Sequence, residues 1–289
     1  MSNHITRKSF LKKASLLTLG FSGLSNYLLS QTVNTINNKS IELIKDPNGI
    51  IDLPKGFEYK IISEFGNKMS DNLQVPDHAD GMGCFQGKED QIILIRNHEI
   101  GRFEQYEFKH EYKKSAFGKI DNIFDFYPKD KIYDPCIDET VCFGGTTTIV
   151  YNTKKEQVEN EYLSLAGTLI NCSGGVTPWN TWITCEETVK KKNRRITKNH
   201  GYNFEVYPSE EIKMSPPIPL KDMGRFRHEA VAVDPIYNFI YQTEDREDGL
   251  FYRFIPNVNK KLIKGGKLQG LSLADYRGGF DCTKDRKSV

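Results

Sequence analysis

The chain has 289 residues, of which 38% are hydrophobic and 11% aromatic, so it can form a sizeable core and is not an intrinsically disordered protein. Its 40 basic residues nearly balance its 38 acidic residues, and the formal net charge is +2. We therefore expect no nucleic-acid partner and no attraction to an anionic membrane surface. The densest basic run, 190–195, is interpreted as a solvated loop. Six cysteines without a CxxC pair argue against a zinc-finger domain.

Residues 1–30 have the layout of an export signal. A basic segment at 7–13 precedes a weakly apolar stretch at 14–29. The segment resembles a twin-arginine signal in which Lys8 replaces the second arginine. The apolar stretch is shorter than the about 20 residues that a membrane-spanning helix needs. The sequence predicts a protein exported by the twin-arginine translocation machinery, periplasmic or extracellular, with no stable membrane anchor and one domain over 31–289.

Beyond residue 50 the chain consists mostly of short runs in which apolar and polar residues alternate, separated by Gly, Pro, Asn and Asp. Many of these runs are rich in Ile, Val, Thr, Tyr and Phe, which favour strands, and helical periodicity is scarce. We therefore predict an all-β fold. The predicted strands are 57–62, 91–97, 145–152, 161–165, 179–186, 201–207, 229–234, 239–244 and 249–255. Residues 101–136, which are charged and aromatic, are predicted to be a long insertion or lid.

Carboxylates accompanied by other polar residues recur at or near the ends of several predicted strands, at 97–99, 185–187, 228–229 and 244–245. Glu187 lies 88 positions after Glu99 and 42 positions before Glu229, close to two blades and one blade of a β-propeller at about 40–45 residues each. Any one group is equally compatible with a solvated turn. A propeller would bring all of them to its central channel, where clustered carboxylates need cations. The pattern predicts a metal-binding β-propeller.

Several segments form a recognisable set. The main one runs from Asn-Cys-Ser-Gly-Gly-Val-Thr-Pro-Trp at 171–179 to Ile-Thr-Cys-Glu-Glu at 183–187. Supporting segments are 96–99, 144–148, 199–202, 224–230 and 243–254. Together these segments resemble the PhoX-type alkaline phosphatase family. The resemblance implies a β-propeller of about six blades and an exported phosphomonoesterase that acts on small-molecule phosphoesters. It also implies bound Ca²⁺ and Fe³⁺, with a cysteine thiolate among the iron ligands.

The resemblance places metal ligands at Asn97, Glu99, Cys172, Glu186, Glu187, Glu229 and Glu244. Carboxylate oxygens suit calcium, and a thiolate suits a transition metal. We expect the thiolate to be Cys172, which is followed by glycines that permit a close backbone approach, and not Cys185, which lies within an alternating strand. Cys136 and Cys142 are close enough in sequence to close a short loop, but the sequence leaves the cysteine pairing open.

Arg246 and Arg227 are the candidates for a catalytic phosphate clamp, because a guanidinium binds phosphate with two parallel hydrogen bonds. Three histidines lie next to the carboxylates or in the resembling segments, where each orients a metal ligand, is itself a metal ligand, or is an ordinary core or loop residue. They are His98, His200 and His228.

The end of the chain departs from the family pattern. Family members continue well beyond the segment 250–254, whereas here a polar tail follows at 281–289. We therefore expect one or more C-terminal blades to be missing. Two other functions stay open: a calcium-dependent propeller that hydrolyses lactones or organophosphates, which needs no cysteine ligand, and a noncatalytic binding propeller.

Overall fold

The structure, a computed structural model, describes residues 42–101, 127–136 and 142–272, together with Asp125. The predicted export signal, most of the predicted insertion and the polar tail at 281–289 lie outside these residues. In the described ranges, no helix has the length and hydropathy that crossing a membrane requires.

Residues 42–60 belong to a small unit of their own. Strands β1 (Leu43–Ile44) and β2 (Leu53–Pro54) pair antiparallel. Asp46 organises the turn between them, and its carboxylate accepts a hydrogen bond of 2.7 Å from the Tyr59 hydroxyl. It also accepts hydrogen bonds from the backbone N–H groups of Asn48, Ile50 and Ile51. These bonds, with that of Tyr59 first, lower the pKa of Asp46 to about 2, so the carboxylate stays ionised.

Among the described residues beyond Lys60, three antiparallel sheets follow one another along the chain. The first contains β3 (Ala79–Gln86), β4 (Gln91–His98), β5 (Gly144–Asn152) and β6 (Gln157–Thr168), in chain order. Strand β5 is buried almost throughout, which agrees with its nearly continuous run of Thr, Ile and Val.

The second sheet has three strands and the third has four, again in chain order. The second contains β7 (Asn171–Val176), β8 (Trp182–Glu186) and β9 (Asn203–Val206). The third contains β10 (His228–Val233), β11 (Ile240–Glu244), β12 (Phe251–Pro256) and β13 (Gly266–Gly270). Short 3₁₀ turns at Lys129–Lys131, Lys221–Met223 and Leu262–Lys264 are the helical segments that accompany these sheets.

The first strands of the three sheets lie side by side, since β7 contacts β3 and also β10. Glycines permit this approach: a Cβ atom on Gly81 would lie 2.8 Å from the Cα of Ser173, and one on Gly175 would lie 2.2 Å from the carbonyl oxygen of Val231. Sheets in series with adjacent first strands are the arrangement of successive β-propeller blades. The all-β prediction is confirmed.

Two hydrophobic cores fill the spaces between the sheets. Between the first and second sheets, Phe85 and Ile95 pack with Trp182 and Phe204. Between the second and third, the core consists mainly of Ile183, Cys185, Val231, Ile240 and Phe254. Because these side chains are almost completely buried, the sheets hold one another at fixed positions.

One predicted strand is wrong, and five strands of the described residues were not predicted. Residues 57–62 do not form a strand, and their apolar side chains are mostly exposed. The strands that were not predicted are β1, β2, β3, β7 and β13. Strands β3 and β7 contain the glycines at which the sheets meet, and these glycines obscure the alternation of apolar and polar residues.

Candidate metal centre

The first two strands of all three sheets meet in the same way. The first residue of the first strand pairs with the last residue of the second strand, as Ala79↔His98, Asn171↔Glu186 and His228↔Glu244. In each sheet a β-bulge follows within the next three residues of the first strand. The residue after the second strand then donates its backbone N–H to the residue before the first strand, as Glu99 to His78, Glu187 to Ile170 and Asp245 to Arg227. We call this repeated feature the strand corner.

Each strand corner carries two side chains suited to metal binding, the second residue of the first strand and the residue that follows the second strand. These six residues, which we call the corner cluster, are Asp80, Glu99, Cys172, Glu187, Glu229 and Asp245. Ligand atoms of Cys172, Glu187 and Glu229, one from each, all lie within 4.8 Å of one another. The carboxyl groups of Asp80 and Glu99 share a hydrogen bond, as do those of Glu187 and Asp245. The cluster therefore draws on all three sheets.

The three glutamates of the corner cluster have pKa values above the usual value for a glutamate carboxyl group. Burial and the hydrogen bond with Asp245 raise the pKa of Glu187 to about 7. Burial, followed by the contact with Asp80, raises the pKa of Glu99, and burial followed by the charge of Asp245 raises the pKa of Glu229. Such shifts are the response of carboxyl groups first to burial and then to neighbouring carboxyl groups, whose mutual repulsion a bound cation would relieve. The donor set therefore fits metal ions.

Cys172 supplies the one sulfur donor of the corner cluster. Its side chain is buried, with the sulfur 3.2 Å from the carbonyl oxygen of His228. Burial, with a smaller contribution from neighbouring Cys185, raises the pKa of this thiol far above its usual range. The thiol is therefore protonated until a metal ion displaces the proton.

Asn97, which was predicted to be a ligand, connects strands instead. Its Nδ2 donates to the carbonyl oxygens of Cys172 at 2.9 Å and Ser173 at 2.8 Å. Its Oδ1 accepts a hydrogen bond of 2.9 Å from the indole N–H of Trp182. Every polar atom of this fully buried amide therefore has a protein partner, and the amide holds the backbone of Cys172 in place.

The structure does not bring Glu186 and Glu244 to the corner cluster. Glu186 is fully buried and accepts hydrogen bonds from the ring of His200 and from the backbone N–H groups of Leu169, Gly201 and Tyr202. Glu244 accepts from the backbone N–H of Leu250 and the hydroxyl of Tyr252. Both are last residues of a second strand, and successive side chains of a strand point to opposite faces. The residues after them, Glu187 and Asp245, are the ones in the cluster.

The two candidate arginines flank Asp245. The backbone carbonyl of Arg227 accepts the N–H of Asp245, and the Arg227 side chain is exposed. The guanidinium of Arg246 pairs with Asp248 at 2.8 Å, and both side chains are at least half exposed. An exposed pair of this kind is weak, so the Arg246 guanidinium is available to exchange partners.

The three histidines occupy different environments. His98 and His228 are buried, and burial above all lowers the pKa of each to about 3, so both are neutral core residues. His200 lies between Glu186 and Asp134. Burial disfavours its charge, but the two carboxylates prevail and raise its pKa to about 9.

Asp80 and Asp245 are the members of the corner cluster that the sequence analysis did not name as candidate ligands. Asp245 follows β11 as Glu99 follows β4 and Glu187 follows β8, so correct strand ends would have identified it. Asp80 lies on a strand that the sequence did not reveal, and we find no local signal for it.

Comparison with known proteins agrees with the resemblance in the sequence. The sequence model of the family Alkaline phosphatase PhoX matches residues 39–152 and 144–280. No curated protein matches the chain. Among solved structures, the chain is similar to Pseudomonas fluorescens PhoX in complex with vanadate, a transition state analogue, at 18% identity and a TM-score of 0.42. That match covers 71% of this chain and 47% of the Pseudomonas chain, so this chain spans about half the length of that protein. Because the family match covers most of its length, the chain belongs to the PhoX alkaline phosphatase family.

Proposed function

We propose that the chain is a metal-dependent phosphomonoesterase whose active centre is the corner cluster. The observation that carries the proposal is the convergence of five carboxyl groups and one thiol from equivalent positions of three sheets. Membership of an alkaline phosphatase family supports the same reaction. The substrates are small phosphomonoesters, from which inorganic phosphate is released.

The side chains of the corner cluster offer two chemical types of donor atom, and these suit different metal ions. Carboxylate pairs such as Asp80 with Glu99 and Glu187 with Asp245 offer the hard oxygen atoms that Ca²⁺ prefers. Cys172, once deprotonated, offers a soft donor that favours a transition metal, and Fe³⁺ is the ion that we propose. The thiol favours this assignment over a propeller hydrolase that depends on calcium alone. Bound metal ions would neutralise charge on the phosphoryl oxygens and activate an oxygen nucleophile.

The protein residues around the cluster have their own tasks in this proposal. Asn97 fixes the backbone of Cys172, and the N–H bonds from Glu187 and Asp245 fix the ends of two strand corners. Arg246 is the proposed phosphate clamp, because its partner Asp248 is exposed and can be replaced by a phosphate oxygen pair. Arg227 is the second candidate for this role.

The purified chain tests the proposal by metal analysis together with hydrolysis of p-nitrophenyl phosphate, with and without added Ca²⁺. We expect bound iron and calcium-dependent release of p-nitrophenol, both strongly reduced in Cys172→Ser. Cys84→Ser, which removes a thiol on the exposed face of β3, is the matched control and should leave both unchanged. If Cys172→Ser kept both its iron and its activity, the proposed metal centre would be disproved.

We also propose that residues 1–30 direct export by the twin-arginine route to the periplasm or beyond. The basic segment, with Arg7 followed by Lys8, supports this. Fractionation of cells that express the full chain and a Arg7→Gln, Lys8→Gln variant tests it. We expect the variant to stay in the cytoplasm, and export of both at equal rates would refute the route.

A further inference from the structure

Beside Glu186 lies a second group of residues whose side chains are suited to metal binding, and none of them belongs to the corner cluster. His200, which contacts Glu186, lies beside Asp134 and Cys142, and all three side chains are buried. Ligand atoms of Asp134, Cys142 and His200, one from each, lie within 4.8 Å of one another. Cys136 adds a further sulfur, 3.3 Å from that of Cys142. Two thiols, an imidazole and a carboxylate therefore meet inside the protein.

Two of the distances between these donor atoms, both measured from His200 Nε2, match those around a tetrahedral zinc ion. His200 Nε2 lies 3.3 Å from Asp134 Oδ2 and 3.8 Å from Cys142 Sγ. Zinc bonds of about 2.3 Å to sulfur and about 2.0–2.1 Å to nitrogen or oxygen place neighbouring donors about 3.3–3.8 Å apart at tetrahedral angles. Asp134, Cys142 and His200 thus need only small movements to surround one ion, and a rotation of the Cys136 side chain, whose sulfur contacts that of Cys142, would bring in the fourth donor.

The groups that hydrogen-bond to the donor residues are also arranged as they are at zinc sites. His200 contacts Glu186 Oε1 through Nδ1 at 2.7 Å, which directs its Nε2 towards Asp134 and Cys142. A histidine that binds zinc commonly donates its other ring N–H to a carboxylate in this way. Asp134 is itself held by the backbone N–H groups of Cys136 and Lys198 and by the hydroxyl of Thr197. Both carboxylates are therefore oriented before any ion binds.

We propose that Asp134, Cys136, Cys142 and His200 form a structural zinc site. Zinc binding would release the two thiol protons and the Nε2 proton of His200, and no electron is transferred. The chemistry selects zinc over calcium because two donors are sulfur and one is an imidazole nitrogen. The ion would fasten the chain segment at Asp134 and Cys136 to the start of β5 and to the loop before β9. This inference is independent of the proposed phosphatase activity.

A disulfide between Cys136 and Cys142 is the competing use of the two sulfurs. It would leave His200 and Asp134 as a plain ion pair, and the convergence of nitrogen and carboxylate oxygen on Cys142 would have no function. The convergence of Asp134, Cys142 and His200, and not the contact of the two sulfurs alone, therefore favours the metal.

Cobalt substitution tests the site in a full-length Cys172→Ser background, in which the corner cluster has no thiolate. We expect one tightly bound Co²⁺ with tetrahedral d–d bands and a thiolate charge-transfer band, all abolished by one equivalent of Zn²⁺. Adding Cys142→Ser should remove the bands. Adding Cys84→Ser, the exposed control thiol, should leave them unchanged. The proposal fails if the bands survive Cys142→Ser or never form.

A second measurement covers the case in which the Cys142→Ser protein does not fold. Zinc X-ray absorption of the Cys172→Ser protein should show two sulfur neighbours at about 2.3 Å. A shell of oxygen and nitrogen alone would contradict the proposal. So would a Cys136–Cys142 disulfide, found by mass spectrometry of the non-reduced protein as isolated.

Discussion

Glu186 and Glu187 are consecutive residues whose carboxylates lie in different clusters. Glu186 accepts four hydrogen bonds in a fully buried pocket that includes His200, whereas Glu187 shares a hydrogen bond with Asp245 in the corner cluster. The alternation of side chains at the end of a strand separates the two. One dipeptide therefore contributes a stabilising carboxylate and a candidate metal ligand.

This separation predicts opposite effects for two matched substitutions. Glu186→Gln should lower the free energy of unfolding by about 3 kcal/mol, because it breaks a buried ion pair with His200 and leaves backbone N–H groups facing an amide. Glu187→Gln should leave stability unchanged or raise it, because it removes a like charge, and should weaken metal binding. Urea denaturation of chelator-treated protein and metal analysis measure both effects. Equal destabilisation by the two substitutions would contradict the assignment.

The equivalence of the strand corners makes a second prediction. Asp245→Asn should weaken metal binding about 10-fold or more, because Asp245 occupies the position of Glu99 and Glu187 in the third sheet. Glu244→Gln is the matched control, since its carboxylate bonds Leu250 and Tyr252 within its own sheet. Calcium titration calorimetry compares the two. A larger loss of affinity in Glu244→Gln would place the ligand at the strand end and refute the equivalence.

The sequence analysis identified most strands but not the two that present Asp80 and Cys172. In β3 and β7 glycines replace the side chains that would have shown alternation, because adjacent sheets approach there to within van der Waals contact. Cys172 was found through the family resemblance and not through periodicity. The glycines that make these strands hard to recognise allow the sheets to pack closely, and this close packing also brings the residues of the corner cluster together.

The spacing argument miscounted the blades for one pair of carboxylates and compared unlike positions in the other. Glu99 and Glu187 were taken to be two blades apart, but they belong to the first and second sheets, whose first strands are adjacent. Glu99 and Glu187 are equivalent in two strand corners, but the residue equivalent to Glu187 in the third sheet is Asp245 and not Glu229. Alternation shows that Glu186 and Glu187 point to opposite faces, but it does not say which face meets the centre. That choice depends on the bulge in β7 and on the partner sheets, which are tertiary features.

Removal of metal ions should make stability depend on pH. In the folded metal-free protein the pKa of Glu187 is about 7, and those of Glu99 and Glu229 are also raised. Carboxyl groups with raised folded-state pKa values favour folding at low pH, and this stability is lost as pH rises from about 4.3, the usual value for glutamate, through about 7. The melting temperature in chelator should therefore fall between pH 5.5 and 8, and Glu187→Gln should reduce that fall. The melting temperature of metal-loaded protein should depend less on pH. If the melting temperatures of the metal-free and metal-loaded proteins changed in parallel with pH, the proposed effect of the metal on these carboxyl groups would be contradicted.

Asn97 should matter to stability and to metal binding at once, although it is no ligand in the structure. Its amide joins the carbonyls of Cys172 and Ser173 to the indole of Trp182 without access to water. Asn97→Ala leaves these buried groups without partners and should cost about 3 kcal/mol. Asn97→Asp keeps the acceptor for Trp182 but sets a carboxylate against two carbonyls, so it should be at least as damaging.

A double-mutant cycle separates this role from a general loss of packing. If the amide acts through Trp182, then Asn97→Ala and Trp182→Phe together should cost less than the sum of the single changes, by about 1 kcal/mol. Asn160→Ala removes a single hydrogen bond to the Glu210 carbonyl and serves as the control, with an expected cost of about 1 kcal/mol or less.

Iron content should fall in Asn97→Ala even under conditions in which the variant is fully folded, because the backbone that carries Cys172 is no longer fixed. Additive costs together with unchanged iron content would show that Asn97 only fills space.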